Sequence, residues 1–172
     1  MRAARGFTLI ELMTTIAVLG ILLVAGVPAM RGLIENSRIR AAGESLKYGL
    51  TLARTEAVRR NTQVSLVTDA AGWQVRTVVG DEVLHQAAGR EGPARLALAI
   101  TPEGADRVTF DGFGRVLDPN PDDSDPIEEI DIESASPPGV SGYRPLRVQM
   151  LRGGTARLCD PAAEADDPRV CL

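Results

Sequence analysis

The feature that most constrains this sequence is a long apolar segment close to its N-terminus. Between Arg5 and Arg31 the only charged residue is Glu11. As a helix, residues 7–30 would span about 36 Å, enough to cross the hydrocarbon layer of a bilayer, which is about 30 Å thick. No later stretch is comparably apolar. The pattern therefore predicts a single N-terminal membrane segment on an otherwise soluble chain.

The charges that precede this segment predict its orientation. Arg2 and Arg5 lie before it, and basic residues favour the cytoplasmic side of a membrane. We therefore expect the extreme N-terminus in the cytoplasm and the rest of the chain on the opposite side. A disulfide can persist in that compartment because it is oxidising.

Two simpler interpretations of the segment are a secretory signal peptide and an uncleaved anchor. Its basic start and its small-residue end at Val27-Pro28-Ala29 are shared with signal peptides. Glu11 argues against both interpretations, because a carboxylate inside a membrane helix costs a few kcal/mol and usually marks function. The apolar run is also longer than the core of a signal peptide, which has about 7–15 residues.

The string Gly6-Phe-Thr-Leu-Ile-Glu11 resembles the processing motif of type IV prepilins and type II secretion pseudopilins. The resemblance implies that a membrane peptidase removes the leader, residues 1–6, by cutting between Gly6 and Phe7. It also implies that the new N-terminal Phe7 is then N-methylated and that Glu11 is retained for assembly.

The chemistry of Glu11 can be stated from the residues themselves. Cleavage after Gly6 would leave a cationic amine on Phe7, four residues before Glu11 and on the same helical face. A negative charge in the first turn also complements the positive end of the helix dipole. The resemblance implies that the amine of a neighbouring subunit pairs with Glu11 as a filament grows.

Pro28 lies where many proteins of this kind carry a proline. Proline removes a backbone donor and crowds the preceding turn, which kinks or opens a helix. Gly20 and Gly26 loosen the same stretch. We expect Pro28 either to form a passive kink or to let the segment stretch as the subunit moves from bilayer to filament.

Beyond Met30 the helix is expected to continue to about Arg60 and to become amphipathic. Small and aliphatic residues recur there at three- and four-residue steps, which places them on one face suited to core packing. These residues are Ile39, Ala42, Leu46, Leu50, Ala53 and Ala57.

From residue 61 onward the pattern changes to strands and turns. We predict a strand over 96–101 and three hairpins, which pair 62–68 with 73–79, 107–110 with 115–117, and 143–151 with 155–159. A long helix packed on an antiparallel sheet gives an α+β fold. The predicted segments are a leader (1–6), a membrane and filament-core helix (7–30), an amphipathic helix (31–60) and a β-rich domain (61–172).

This order of segments resembles the GspH/FimT group of minor pilins and pseudopilins, as do the strings at 53–60 and 108–116. The strings at 154–161 and 167–171 are more similar to FimT/FimU minor pilins. The resemblance implies a structural subunit of a type IV pilus, involved in its assembly and held in the bacterial inner membrane with its C-terminal domain in the periplasm before reaching the pilus. Its partners would be other pilins or pseudopilins, the prepilin peptidase and inner-membrane lipid. The alternatives are a type II secretion pseudopilin and a DNA-binding minor pilin for natural transformation.

Two cysteines, Cys159 and Cys171, lie close to the C-terminus. They are too few for a zinc ribbon and enough for one disulfide. Free thiols are improbable outside the cytoplasm, so we predict a bond that holds the C-terminal tail on the sheet. Closing a loop of this size contributes about 3 kcal/mol or slightly less.

An acidic block extends from Asp118 to Glu133, with eight acidic residues and no basic one. Four of its side chains stand at positions 1, 3, 5 and 12 of an EF-hand-like calcium loop: Asp118, Asn120, Asp122 and Glu129. The glycine required at position 6 is replaced by Asp123, and two prolines stiffen the loop. A solvated surface loop is therefore preferred to a calcium site.

Four arginines and no acid lie between positions 144 and 157: Arg144, Arg147, Arg152 and Arg157. Guanidinium groups suit phosphate, and some FimT-type minor pilins bind DNA through an arginine pair in a Gly-Arg-x-Arg stretch. The corresponding residues here are Gly154-Thr-Ala-Arg157, so one arginine of the pair is missing. Acidic segments on both sides and a net charge of −4 favour arginines that pair within the domain or with adjacent subunits.

No enzymatic function is indicated, and no cofactor is expected. The single histidine, His85, has no predicted nucleophile beside it. Gly112-Phe-Gly114 lies in a predicted hairpin turn rather than in a phosphate-binding loop.

Overall fold

The computed structural model describes residues 7–69, 72–88, 96–135, 143–151 and 153–171, without the side chains of residues 24–29, 31, 69 and 88. The leader with Gly6 lies outside the described residues, and so does Arg152.

One helix, α1, runs from Leu9 to Arg60. It begins after an N-cap at Thr8 and ends at Asn61, whose left-handed conformation (φ 49°) turns its amide back onto the carbonyls of Ala57 and Val58. The predicted end at about Arg60 is confirmed. Pro28 lies inside the continuous helix, and its side chain lies outside the described residues.

In the part of the chain that the structure describes, no helix is both long and apolar enough to cross a membrane.

Nothing else in the described chain covers the N-terminal half of α1. Its large apolar side chains are exposed from Phe7, which is 86% exposed, through Leu23 and again at Leu33 and Ile34. Burial begins at Glu35. The helix therefore consists of an uncovered apolar half and a half that packs against a domain.

The described residues form eight strands. In chain order these are β1 (Val64–Asp69), β2 (Gly72–Thr77), β3 (Val83–Ala88), β4 (Leu96–Thr101), β5 (Arg107–Phe110), β6 (Glu129–Ser134), β7 (Leu146–Met150) and β8 (Ala156–Cys159). The first sheet has the order β3-β2-β1-β5 and the second has the order β4-β6-β7-β8, with antiparallel pairing throughout. The predicted α+β class is confirmed, and the strands are divided between two sheets.

The predicted hairpins β1–β2 and β7–β8 are confirmed, as is the strand β4. The hairpin predicted around 111–114 is confirmed only next to its turn, where the Asp111 amide donates to the Arg115 carbonyl and the Leu117 amide donates to the Thr109 carbonyl, each at 2.9 Å. β5 pairs with β1, placing Val108 opposite Leu66, and only a single bridge joins Phe110 to Val116. The buried Val108 and Phe110 explain this pairing, because their side chains complete the core of the first sheet.

The apolar face of α1 forms the core with both sheets. Ile39, Leu46, Leu50, Ala53 and Ala57 are buried, as the spacing predicted, and Ala42 is partly buried. The helix approaches the two sheets at two glycines. A Cβ at Gly43 would lie 2.7 Å from Leu158 of the second sheet, and a Cβ at Gly49 would lie 2.9 Å from the Trp73 ring of the first.

We predict that Gly49→Ala destabilises the domain by about 1–2 kcal/mol, because overpacking outweighs the gain in helix propensity. The Trp73 indole cannot easily retreat, since its Nε1 donates to Ser45 Oγ at 3.1 Å. Gly43→Ala should cost less, because it meets the flexible end of Leu158. Urea unfolding, followed by the fluorescence of the single tryptophan, measures both effects.

Gly20→Ala is the matched control, because nothing lies within 4 Å of the added carbon. Equal stabilities for Gly49→Ala and Gly20→Ala would show that the helix does not approach the first sheet as described.

Candidate functional site

The first turn of α1 is organised by a reciprocal pair of hydrogen bonds. The Glu11 amide donates to Thr8 Oγ1 at 3.3 Å, and the Thr8 amide donates to Glu11 Oε2 at 3.5 Å. This is a capping box. The sequence analysis missed it, although the spacing Thr-x-x-Glu is its signature.

The capping box fixes where the Glu11 carboxylate stands. The carboxylate lies in the first turn, where the helix dipole favours a negative charge, and both Glu11 and the neighbouring Phe7 are exposed. Within the described residues, Glu11 forms no ion pair. Its hydrogen bonds to Thr8 leave its charge available to a cation from outside the chain.

Along the helix, the first hydrogen bonds to the rest of the domain lie at positions 35 and 36. The Ser134 hydroxyl donates to Glu35 Oε1 at 2.6 Å, and the Arg144 amide donates to Asn36 Oδ1 at 2.8 Å. Glu35 is buried and also accepts from Arg38. These contacts tie the second sheet and the segment before β7 to the point where the exposed apolar half of α1 ends.

A second fastening lies at the far end of α1, around the buried carboxylate of Glu56. Arg59 Nη2 and Arg60 Nε donate to Glu56 Oε2 at 2.6 and 2.8 Å, and His85 Nε2 of β3 lies 3.8 Å from Oε1. The hydrogen bonds from Arg59 and then from Arg60 lower the pKa of Glu56 from 4.5 to about 2. His85 therefore lies beside the Glu56 ion pairs at the edge of the first sheet.

Two turns, one from each sheet, meet beside α1. Arg54 Nε donates to the Gly114 carbonyl at 2.9 Å. A Cβ at Gly154 would collide with that carbonyl oxygen, and both glycines have positive φ (76° and 75°). Only glycine fits such close backbone contact in this conformation, so both glycines are needed to join the sheets.

Only the first part of the acidic block, residues 118–128, lies outside helices and strands, as predicted for a surface loop. Its last part is β6, in which Ile130 and Ile132 are buried while Glu129 and Asp131 lie on the other face. We missed this strand because the run of charges obscured the alternation of isoleucine with acid.

The calcium candidates have separate partners. Asn120 is buried, and its Oδ1 accepts from the Thr109 amide at 3.1 Å. Asp122 pairs with Arg107 at 2.8 Å, and Glu129 of β6 pairs with Arg147. Asp118 is exposed. Within the described residues, no group of three or more His, Cys, Asp or Glu could hold a metal ion.

Of the four arginines considered for DNA binding, Arg147 and Arg157 form contacts within the domain. Arg147 donates to Asp131 through Nε at 2.7 Å and Nη2 at 2.8 Å, and it also pairs with Glu129. Arg157 Nη2 donates to the Pro168 carbonyl at 2.9 Å. Arg144 is exposed, and Arg152 lies outside the described residues.

The predicted disulfide between Cys159 and Cys171 is confirmed. It joins the end of β8 to the tail, and a parallel bridge between Asp160 and Val170 adds a second link. Together with Arg157, these contacts hold the tail along the edge of the second sheet.

Two family models match the chain. One, described as type II transport protein GspH, matches residues 42–154, and the other, a prokaryotic N-terminal methylation motif, matches residues 1–27. The first covers residues 42–60 of α1 and the strands β1 to β7, and the second covers Gly6, Phe7 and Glu11. No curated protein matches the chain significantly.

Solved structures share the fold at low sequence identity. The type IV minor pilin FimU of Pseudomonas aeruginosa is 16% identical with a TM-score of 0.57, over 78% of this chain and 98% of that one. The minor pseudopilin EpsH from the type 2 secretion system of Vibrio cholerae is 17% identical with a TM-score of 0.50, over 73% of this chain and 99% of that one. At such identities these likenesses establish the fold alone.

We predict that Glu56→Gln lowers the free energy of unfolding at pH 7 by about 1–2 kcal/mol, through loss of charge-assisted hydrogen bonds. Because the folded-state pKa of Glu56 lies below 4.5, its contribution is present above pH 4.5 and fades as the pH falls towards 2. The difference between the variant and the parent should therefore shrink over that interval. Urea unfolding at several pH values measures it.

Glu44→Gln is the control, because Glu44 is half exposed and lies 3.9 Å from Lys47. Its effect should stay within about 0.5 kcal/mol at every pH. A pH-independent effect of Glu56→Gln would mean that the buried ion pairs do not carry the stabilisation.

Proposed function

The chain belongs to the GspH family of type II transport proteins, and from that premise we propose how it works as a type IV pilin-like structural subunit. Such a subunit assembles with other pilins or pseudopilins in a filament. In our proposal the inner membrane holds residues 7–30 before assembly, and the domain lies in the periplasm. The subunit then enters a type IV pilus as a minor component and reaches the cell surface.

One observation carries the proposal: the apolar side chains of α1 are exposed from Phe7 to Leu23 and at Leu33 and Ile34. Exposed apolar surface of this extent is unfavourable in water. Lipid would cover it before assembly, and the equivalent helices of neighbouring subunits would cover it afterwards. The domain begins only where this surface ends, so it leaves these exposed side chains available for both surroundings.

The N-terminal chemistry of the proposal follows the processing motif. The prepilin peptidase would cut after Gly6, and the amine of Phe7 would then be methylated. Glu11 carries the one negative charge of residues 7–30. The amine of a neighbouring Phe7 would neutralise it in a medium of low dielectric constant, where an unpaired carboxylate is costly. Pro28 would let the helix extend during the transfer.

A type II secretion pseudopilin is the second candidate, and the family description favours it. In our proposal the disulfide-held tail favours the pilus, since it resembles the C-terminal strings of FimT/FimU minor pilins. The two candidates share the same helix chemistry and differ in the filament that accepts the subunit. Subunits recovered from sheared surface filaments would indicate a pilus, whereas loss of exported enzymes on deletion would indicate a pseudopilus.

We predict that Glu11→Gln leaves cleavage after Gly6 intact and reduces incorporation into filaments at least about tenfold. Glutamine can replace glutamate in a capping box, so this substitution removes the charge and keeps the cap. N-terminal sequencing should find Phe7 first in both forms, and immunoblots of sheared filaments measure incorporation. Thr8→Ala, which removes the cap and keeps the charge, is the converse control.

Normal incorporation of Glu11→Gln, combined with failure of Thr8→Ala, would mean that Glu11 acts only as a cap. A mature chain that starts at Met1 or Met30 would overturn the proposed processing itself.

DNA binding is the alternative from a different class, and the arginine contacts argue against it. Arg147 is held by two carboxylates, and Arg157 is held by the tail. We predict no DNA complex of the full chain in detergent at about 150 mM salt, and only weak, salt-sensitive binding near 50 mM. Electrophoretic mobility shifts measure this.

Arg157→Ala should leave that weak binding unchanged and loosen residues 160–171 in hydrogen exchange. Arg40→Ala is the control for loss of one exposed positive charge. Binding that persists at 150 mM salt and is abolished only by Arg157→Ala would instead establish a DNA receptor.

A further inference from the structure

The turn that follows β5 presents an aromatic side chain to solvent. In this turn, residues 111–115, the Phe113 side chain is 78% exposed. The amides of Phe113 and Arg115 both donate to Asp111 Oδ1 at 2.9 Å, and the Arg115 guanidinium donates to Asp111 Oδ2. The guanidinium carbon of Arg115 also lies 5.4 Å from the centre of the Phe113 ring. The exposed ring is therefore carried by a turn whose conformation is fixed by its own hydrogen bonds.

The turn lies against the C-terminal end of α1. A Cβ at Gly112 would lie 2.6 Å from Asn61 Oδ1, and a Cβ at Gly114 would lie 3.0 Å from Val58 Cγ2. Val58 is itself exposed. An apolar side chain that is exposed on an ordered support suits an interface, because little conformational entropy is lost when a partner covers it. The turn and the helix end therefore form one exposed apolar surface.

Arginines border this apolar surface. Arg59 and Arg115 are mostly exposed, whereas the carboxylates that bind them, Glu56 and Asp111, are much less exposed. A partner would therefore meet the guanidinium groups first. The exposed Glu82 precedes β3, at the opposite edge of the first sheet from β5. We define the distal surface by the side chains of Val58, Arg59, Phe113 and Arg115.

The opposite end of the domain carries acidic side chains. The tail after β8, residues 160–171, contains four acidic residues and one arginine, which gives it a net charge of −3. Arg169 pairs with Asp167. Glu164 and Asp166 are exposed and form no ion pair among the described residues. The tail therefore presents two carboxylates that are available to a partner.

The tail begins near the point where the domain first meets α1. β8 ends at Cys159, beside the start of β7, and just before β7 the Arg144 amide donates to Asn36. Arg144 also contributes, after Arg169, to the lowered pKa of Asp167, which places the tail close to this segment. The last exposed apolar side chains of α1 precede the same point. We define the proximal surface by two of these side chains and the two exposed carboxylates: Leu33, Ile34, Glu164 and Asp166.

The two surfaces lie at opposite ends of the packed half of α1. A helix rises about 1.5 Å per residue, so Asn36 and Val58 are about 33 Å apart along its axis. One copy therefore cannot join its own two surfaces, whereas two copies stacked along the helix axis bring unlike surfaces together. That pairing matches apolar with apolar side chains and basic with acidic ones. A contact between two different surfaces is heterologous and can be repeated along a filament.

We propose that the distal surface binds the proximal surface of a second copy of this chain, head to tail. The apolar side chains of the two surfaces contact each other, and the two arginines pair with the two carboxylates of the tail. This contact rests on the proposed function as a filament subunit, and it makes one neighbour of the subunit a copy of itself.

The test measures self-association of the full chain in a zwitterionic detergent by sedimentation velocity. We expect oligomers that grow with protein concentration at about 50 mM salt and dissociate at about 500 mM, because exposed ion pairs are screened. Phe113→Glu should weaken the association about tenfold or more, which corresponds to about 1.4 kcal/mol. It replaces the apolar contact by a charge that the acidic tail repels. The double variant Glu164→Arg/Asp166→Arg should weaken the association comparably.

A mixture of these variants decides whether the contact is head to tail. The Phe113→Glu chain keeps its proximal surface, and the double variant keeps its distal surface. An equimolar mixture should therefore form dimers of one chain of each kind, although neither variant associates alone. Val79→Glu is the matched control and should associate like the parent, because Val79 is also 78% exposed but precedes β3, at the other edge of the first sheet. Urea unfolding followed by tryptophan fluorescence should be the same for the parent and every variant.

Three results would overturn the proposal: a parent that stays monomeric at low salt, association that both variants retain, and a mixture that associates no better than its components. An equal loss for Val79→Glu would overturn it as well. Glu11→Gln should keep the association in detergent. A monomeric parent, combined with loss of filament incorporation by Glu11→Gln, would therefore retain the proposed function and assign the distal surface to a different subunit.

Discussion

The rest of the structure depends on one constraint on α1. Its N-terminal part is left uncovered by the domain, whereas its C-terminal part packs against the domain. The large apolar side chains of residues 7–23 and those of Met30, Leu33 and Ile34 are exposed, whereas the face of residues 35–57 is buried. Since the helix is continuous through both halves, the domain cannot fold back over the apolar half. The apolar half is left for lipid or for other helices, and the stability of the domain has to come from the remaining turns of α1.

The two sheets of the domain contact α1 at different positions along its length. The second sheet is held at Glu35 by Ser134 and approaches most closely at Gly43. The first sheet approaches at Gly49, and Glu56 lies against the edge of β3. The contact between Gly114 and Gly154, braced by Arg54, joins the sheets to each other. A movement of the apolar half would therefore carry the whole domain with it.

The sequence revealed the parts of this arrangement that depend on periodicity or on local turn chemistry. The stripe of Ile39, Leu46 and Leu50 predicted the buried face, and glycine-containing turns predicted the hairpins β1–β2 and β7–β8. The strand β3 was not predicted, because an edge strand that is mostly exposed shows no alternation of apolar and polar residues.

The remaining features of the fold and of the site depend on tertiary contacts. Only the packed sheets explain why a side chain is excluded at Gly43 and Gly49. The partner of β5 was chosen by the burial of Val108 and Phe110, which no local pattern encodes. Likewise, an arginine such as Arg147 suggests phosphate until the carboxylates that surround it are known. The Thr8–Glu11 capping box, in contrast, depends only on local spacing and is encoded in the sequence as Thr-x-x-Glu.

The two faces of the first sheet meet different surroundings. Leu66 of β1 is buried in the core, whereas Ser65 and Val67 lie on the opposite face of the strand and line a cleft. Lateral packing of α1 in a filament would therefore not close the cleft from the helix side. Only a neighbour that approached the outer face of the first sheet could do so. A subunit built in this way can be fixed rigidly in a filament while one sheet face remains open to its surroundings.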